Sequence, residues 1–530
     1  MRNHQLFPIA CVGILLLMAC CKPTPHPPEA MKPPVNESSA GSYANLENEY
    51  SEKWLEQFST LRKTIQKELT SREYAVSPPA AYYNDTALAA NGRFKLYVKD
   101  GKEVYAISAA EGKKSPEIIF TENDPLFIVR LHTSASNSFI FIESISANSS
   151  EVRYLPLSSS LLSPLLMQTR KPGVSYSAEH FGGNNIWILS NENAPMRSVL
   201  IAPASDPVSV YWKTAVREND SVYIDDYTII NQQYLILVQR KNLNASIEIS
   251  DIYSDKKSGI ENKINFPEPE GRVRDLTYDK DEDKLVFTYS SSITPPTCYA
   301  YGLHSMHLGI RWKKQVNNYT QDDYKAESIR VSNKGKHNIL VSLIRKQNLE
   351  KQNVSAPLLL FIESSNLGKQ ASNFDAGLIS LLSRGCSVAC VHIPDDFTSD
   401  AGCTDAITAA VAALIGKNYV TPGMISLYAK GEGSFWAYNA AIKHPSWFNA
   451  LIFDSPSFSN LAGGSEIPDI YFITNQENPA KHFESITLAS ELRNMTKPEN
   501  TLLVLTGMNQ EPARRANLIT FILACYGIDK

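Results

Sequence analysis

The stretch "LYAKGEGSFWAYNAAIKHPSWFNALIFDSP", Leu427 to Pro456, decides the fold. It runs from an apolar strand through a turn built on Gly431 and Gly433 into an alanine-rich helix. It then emerges into a second apolar strand, "ALIFDS". Continuous apolar strands on either side of a helix signal a parallel sheet covered on both faces.

Working outward, the same alternation holds from about residue 336 to the end. "NILVSLI", "APLLLFIES" and "CSVACVHI" read as strands before the quoted stretch, and "DIYFIT" and "TLLVLT" as strands after it. Helices are expected over "DAGLISLLSRG", "DAITAAVAALIGKN", 434–443, 482–494 and 513–526. Residues 336–530 therefore predict an α/β domain with a mostly parallel sheet. Upstream, over 78–335, the texture changes to short strand signals such as "FKLYVK", "FIFIES", "NIWILS" and "YLILVQ", separated by Gly, Asn, Asp and Ser. So many small hairpins over so long a stretch exceed one sandwich. They predict an all-β propeller of six or seven four-stranded blades. Residues 44–77 form a helical segment. Over 44–72, Tyr50, Trp54, Phe58, Leu61 and Ile65 recur at helical spacing and make one apolar stripe.

The N-terminus reads as a targeting segment. Arg2 precedes an apolar run from Leu6 to Ala19, too short to span a membrane. Leu17-Met18-Ala19-Cys20 resembles a bacterial lipobox. The reading is a signal peptide over 1–19, lipidation at Cys20 in preference to Cys21, and a flexible Pro/Ser/Asn-rich tether over 20–43. The expected location is the bacterial cell envelope, held to a membrane by the lipid anchor.

Composition closes off other classes. The 530 residues carry 51 basic and 55 acidic side chains, a formal net charge of -4, which gives no electrostatic case for nucleic acid. Cys298, Cys386, Cys390, Cys403 and Cys525 remain beyond the tether. Their spacing suits no metal site, so buried thiols and no cofactor are expected. "KGEG" and "LAGGSE" lack phosphate-loop spacing, and "DKDED" at 279–283 reads as a solvated hairpin tip.

The chain resembles the prolyl oligopeptidase family, and within it most nearly oligopeptidase B. The resemblance rests on "LSNENAPMRSVLIAPASDP" (189–207), "SVYIDDYTII" (221–230), "INFPEP" (264–269) and "YSSSITPPTCYAY" (289–301). It continues through "APLLLFIESS" (356–365), "LISLLSRG" (378–385) and "HPSWFNALIFDSP" (444–456). It implies a propeller capping an α/β-hydrolase domain, with a peptide site between them and serine-type peptidase chemistry.

The parts of that chemistry do not follow. In such enzymes the nucleophile stands at a strained strand-to-helix elbow. Counting back from Pro445 puts the elbow at Ala429-Lys430-Gly431-Glu432-Gly433-Ser434, with Gly431 where the serine belongs. Ser434 lies in the first turn of the helix and reads as a helix-start residue. The loop "TGMNQEPARRANLITF", where the resemblance places the histidine base, contains none, and His482 matches a non-catalytic position. The acid falls on Glu477 or Asn478. The tyrosine that donates to the oxyanion falls on Glu363, whose carboxylate would repel developing negative charge. Loss of the serine or the histidine alone costs such an enzyme on the order of 10⁶ in turnover.

These readings predict a non-catalytic lipoprotein that binds a peptide or an envelope protein partner. One alternative is a hydrolase with a displaced site, built on Ser434 or Cys403 with a histidine such as His392. Another is a purely structural envelope scaffold.

Overall fold

The computed structural model describes residues 34, 36–73, 86–89, 93–108, 115–159, 161–253, 260–333, 337–351, 354–365, 374–394, 397, 399–457, 461, 467–474, 479–495, 497, 500–506 and 512–529. The proposed signal peptide, Cys20, Glu477 and Asn478 lie outside them.

The C-terminal sheet has eight strands: β1 (Tyr324–Asn333), β2 (His337–Lys346), β3 (Leu358–Ser365), β4 (Ser387–Pro394), β5 (Ile425–Lys430), β6 (Phe448–Asp454), β7 (Asp469–Thr474) and β8 (Leu502–Thr506). Their order is β1-β2-β4-β3-β5-β6-β7-β8. β2 is antiparallel to both its neighbours, and every later pairing is parallel. Alternation along β3 sends Leu358 and Leu360 into one core and Leu359 into the other. The first core is covered by the helices Asp400–Gly416 and Gly433–Lys443, through residues such as Ala406, Ala410, Val411 and Ala437. The second is covered by the helix Ala513–Cys525 with Ile519, Ile522 and Leu523. Burial on both faces is why these strands read as unbroken apolar runs.

The boundary differs from the expected residue 335. Tyr324–Asn333 pairs with β2 over its whole length, so the domain begins about ten residues earlier. Periodicity could not separate this strand from propeller strands, because an outer antiparallel strand has the same alternating texture.

Among the described residues, 86–313 hold five four-stranded antiparallel sheets, where six or seven blades were expected. Apolar layers sit between successive sheets. Leu96 and Val104 meet Val129 and Leu131, and Phe141 and Val152 meet Ile186 and Ile188. Val199 meets Ile224 and Leu237, and Ile236 and Ile247 meet Leu285 and Phe287. The expected number rested on the length of the stretch and its many short strand signals; strands of up to ten residues, such as Ile260–Pro269, use more chain per sheet.

The N-terminal helical segment is two helices, α1 (Glu37–Glu56) and α2 (Ser59–Glu73). The helix thus starts within the stretch read as tether. Asn36 and Ser39 form a reciprocal cap, and Ala40, Tyr43 and Ala44 are buried against the sheet domain. The Ser/Asn composition that suggested a linker supplies the cap. α1 covers the edge strand β8. Ser51 Oγ accepts from Val504 N at 2.9 Å and donates to Val504 O at 3.0 Å. Asn48 donates to Thr506 Oγ1 at 2.7 Å and accepts from Thr506 N at 2.9 Å. These bonds satisfy the outward N–H and C=O of Val504 and the N–H of Thr506. Fully buried Glu47 pairs with Arg493, whose Nε lies 3.0 Å from Glu47 Oε1, and accepts from Tyr43 Oη at 2.8 Å.

Candidate functional site

The elbow keeps its backbone. Gly431 has φ +55°, the left-handed region that glycine adopts without a Cβ penalty. Its N–H donates to Asp454 O at 3.0 Å, and its carbonyl accepts from Ser434 N at 3.2 Å and Ser457 N at 3.3 Å. The tip is thus fastened to the following helix and to the end of β6. Among the described residues, a Cβ built on Gly431 would meet no heavy atom within 4 Å. The strand, turn and helix of a nucleophile elbow are present, and the tip carries no side chain and has no described residue within 4 Å of where a Cβ would stand.

The other candidates are engaged elsewhere. Ser434 is fully buried, and its hydroxyl donates back to Ala429 O at 3.2 Å. Cys403 is buried in the first turn of its helix, where its thiol points at Phe397 O and burial raises its pKa. His482 bonds Thr474 Oγ1 at 2.9 Å through Nδ1, and burial lowers its pKa. The backbone of Glu363 pairs in register with His392 near the end of β3. The structure brings none of Ser434, Cys403 and His482 together as a nucleophile–base pair.

Beside the elbow the structure assembles a polar knot that motif reading missed. Tyr428 Oη donates to Asp454 Oδ2 at 2.7 Å, Ser455 Oγ donates to Asp454 Oδ1 at 3.1 Å, and Arg514 Nη2 lies 3.4 Å from the same oxygen. Tyr428 also packs on Phe361, with ring centroids 5.0 Å apart. Phe361 lines a cavity of about 450 Å³ between propeller and sheet, together with Ser292, Ser342, Val388 and Arg515. The "SSSITPP" segment is the propeller's side of this seam. Ser291 Oγ accepts from Thr294 N at 2.9 Å, and Ile293 joins the core formed with Tyr324 and Ile344.

A second pocket, about 240 Å³, lies within the propeller and is lined by His132, Glu143, Glu179, Asp226 and Tyr227 among others. His132 is 3.8 Å from Glu143 and 3.6 Å from Glu179. Burial pushes the Glu179 carboxyl up to about 7 and that of Asp226 to about 6, and pushes His132 down to about 4. No lysine or arginine is among the lining residues. Such a pocket favours a ligand that brings its own positive charge. Sequence reasoning passed over these residues because they come from three different sheets, with no local motif.

Comparison with known proteins bears on both domains. Residues 89–311 match the family model described as "Prolyl oligopeptidase, N-terminal beta-propeller domain". A "Prolyl endopeptidase-like" protein of Xenopus laevis is 22% identical over 371 residues, which is 67% of this chain and 51% of that protein. "Dipeptidyl aminopeptidase BI" of Pseudoxanthomonas mexicana is 25% identical over 315 residues, covering 57% of this chain and 42% of the relative. The chain thus spans about half or less of the length of these curated relatives. The solved structure of oligopeptidase B from Leishmania major superposes with a TM-score of 0.74 at 15% identity, covering 93% of this chain and 92% of that one. The last likeness is one of fold.

Proposed function

Because the chain belongs to the prolyl oligopeptidase family, we propose that it uses that family's fold without its chemistry, as a non-catalytic envelope lipoprotein that binds a peptide or a protein partner. The observation that carries the reading is the elbow. Gly431 holds the left-handed turn with no nucleophilic side chain at its tip, while the nearby hydroxyl of Ser434 is turned into the backbone. A fold relaxing from catalysis keeps what stability needs, the turn and its hydrogen bonds, and loses what only chemistry needs. The lipobox-like Leu17-Met18-Ala19-Cys20 supports attachment to the envelope.

For the ligand, the propeller pocket favours a peptide bearing a basic side chain or a free amino group. Three carboxylates converge there without a lysine or arginine in the lining. The test has two arms. Purified full-length protein is treated with a serine-directed fluorophosphonate, and no labelling is expected; stoichiometric labelling at any serine rejects the reading. Short Lys- and Arg-containing peptides are then titrated calorimetrically. Saturable binding that weakens in Glu179→Gln is expected, whereas peptide cleavage abolished by Ser434→Ala would establish the displaced-site hydrolase instead.

A further inference from the structure

At the seam between the propeller and the eight-stranded sheet, three side chains from distant parts of the chain converge. One ligand-capable atom each from Glu270, Cys390 and His392 lies within 4.8 Å of the other two, and all three residues are buried. Cys390 and His392 are two apart on β4 and so share a face of the sheet. Ser342 stands opposite Cys390 on antiparallel β2, and its hydroxyl is 3.2 Å from His392 Nε2. Glu270 arrives from the propeller, in the tight turn between the strands Ile260–Pro269 and Arg272–Asp279, with φ +59°. The turn sits hard on Tyr289: a Cβ on Gly271 would come within 2.6 Å of its hydroxyl. This seating aims the carboxylate at the sheet, where Glu270 Oε1 lies 2.9 Å from His392 Nε2.

We propose that Glu270, Cys390 and His392 form a site for a zinc-class divalent cation, with a fourth coordination position turned toward the inter-domain cavity. A thiolate, an imidazole and one carboxylate suit Zn²⁺ or Co²⁺. Magnesium and calcium favour six or more oxygen ligands. Zinc bonds of about 2.0–2.3 Å in tetrahedral geometry set ligand atoms roughly 3.3–3.7 Å apart. The present spacing reaches that by small side-chain rotations. Charge supports the same assignment: Zn²⁺ with one thiolate and one carboxylate is neutral, which a buried site requires. Binding displaces the Cys390 thiol proton, which leaves to solvent, while His392 ligates as a neutral imidazole and Glu270 as a carboxylate. Glu270, Ser342 and Cys390 also line the cavity of about 450 Å³, so water or a donor atom of a bound molecule reaches the fourth position. Cysteine spacing along the chain gave no hint of this site, because one ligand lies 122 residues upstream of another.

The test uses the full-length protein in detergent. After equilibration with Zn²⁺ and removal of free metal, a stoichiometric amount of bound zinc is expected by elemental analysis. Titration of the same protein with Co²⁺ is expected to give tetrahedral d–d bands and a thiolate-to-metal charge-transfer band. Cys390→Ser should abolish the charge-transfer band, and Ser342→Ala should weaken affinity by roughly 10–100-fold, as for groups that orient metal ligands. A folded wild-type protein that binds no zinc and gives no cobalt thiolate band overturns the proposal. So does a charge-transfer band that survives Cys390→Ser. Because the first of these outcomes needs no variant, a misfolding mutant cannot rescue the idea.

Discussion

Restoring the missing serine, by Gly431→Ser, separates the loss of a nucleophile from the loss of an active site. A Cβ at position 431 meets no atom of the described residues within 4 Å, so they add no crowding cost. The cost is backbone. At φ +55°, an L-residue loses about 1–2 kcal/mol relative to a right-handed conformation. The stiffer unfolded chain returns about 0.4–1 kcal/mol. The net loss is about 1 kcal/mol, which for a domain of this size lowers the melting temperature by roughly 2–4 °C. Chemistry should not return. The chain has no histidine after His482, and a serine peptidase without its base is slower by a factor on the order of 10⁶. The assay pairs a thermal melt with fluorophosphonate labelling, and a folded, slightly less stable, unlabelled protein is expected. Destabilisation beyond about 3 kcal/mol would mean that the space above the tip is occupied. Rapid stoichiometric labelling of the new serine would mean that a base is at hand, and the non-catalytic reading would fall.

Three further outcomes are expected. Glu47→Ala leaves Arg493 buried without its carboxylate and should destabilise the protein by about 3–5 kcal/mol in chemical denaturation; a loss below about 1 kcal/mol would show that the pair contributes little. Asn48→Ala removes the partner of Thr506 N, so that amide should exchange with deuterium faster while amides of β5 keep their protection; unchanged exchange would show that α1 does not guard the edge. In the propeller pocket, the folded-state pKa of Glu179, about 7, and of Asp226, about 6, lie above those of the unfolded chain. Stability from these groups is therefore full below about pH 4 and is lost as pH rises toward 7. His132, lowered to about 4, works the other way, losing stability as pH falls from about 6.5. The two carboxylates outweigh the one histidine, so urea midpoints should fall between pH 5 and 7. Glu179→Gln should flatten that fall, and an unaltered slope would refute the assignment.

What was legible in the sequence follows from how far each signal reaches along the chain. The elbow could be found because Ala429, Gly431 and Gly433 are local requirements of one turn. The parallel sheet could be found because strands such as Leu358–Ser365 are buried on both faces and read as apolar runs. The number of propeller sheets was out of reach, since sheets pack through residues such as Val104 and Leu131 that carry no repeating motif. The Glu270–His392 contact and the pocket of Glu143, Glu179 and Asp226 were equally hidden. Each joins separate elements whose individual sequences look like ordinary strands and turns. The start of α1 was misread because capping residues and linker residues are the same amino acids.

The docking of α1 on β8 has a consequence for biogenesis. The bonds from Asn48 and Ser51 to Thr506 and Val504 span more than 450 residues of sequence. During synthesis α1 has no strand to lie on until the chain has emerged as far as Thr506. Contacts of such high order form late and slowly, so the nascent N-terminal segment waits with Tyr50, Leu61 and Ile65 uncovered. A holdase that shields amphipathic helices would bind this protein early and release it once the final strand is in place, and truncation before residue 502 should turn that transient client into a permanent one.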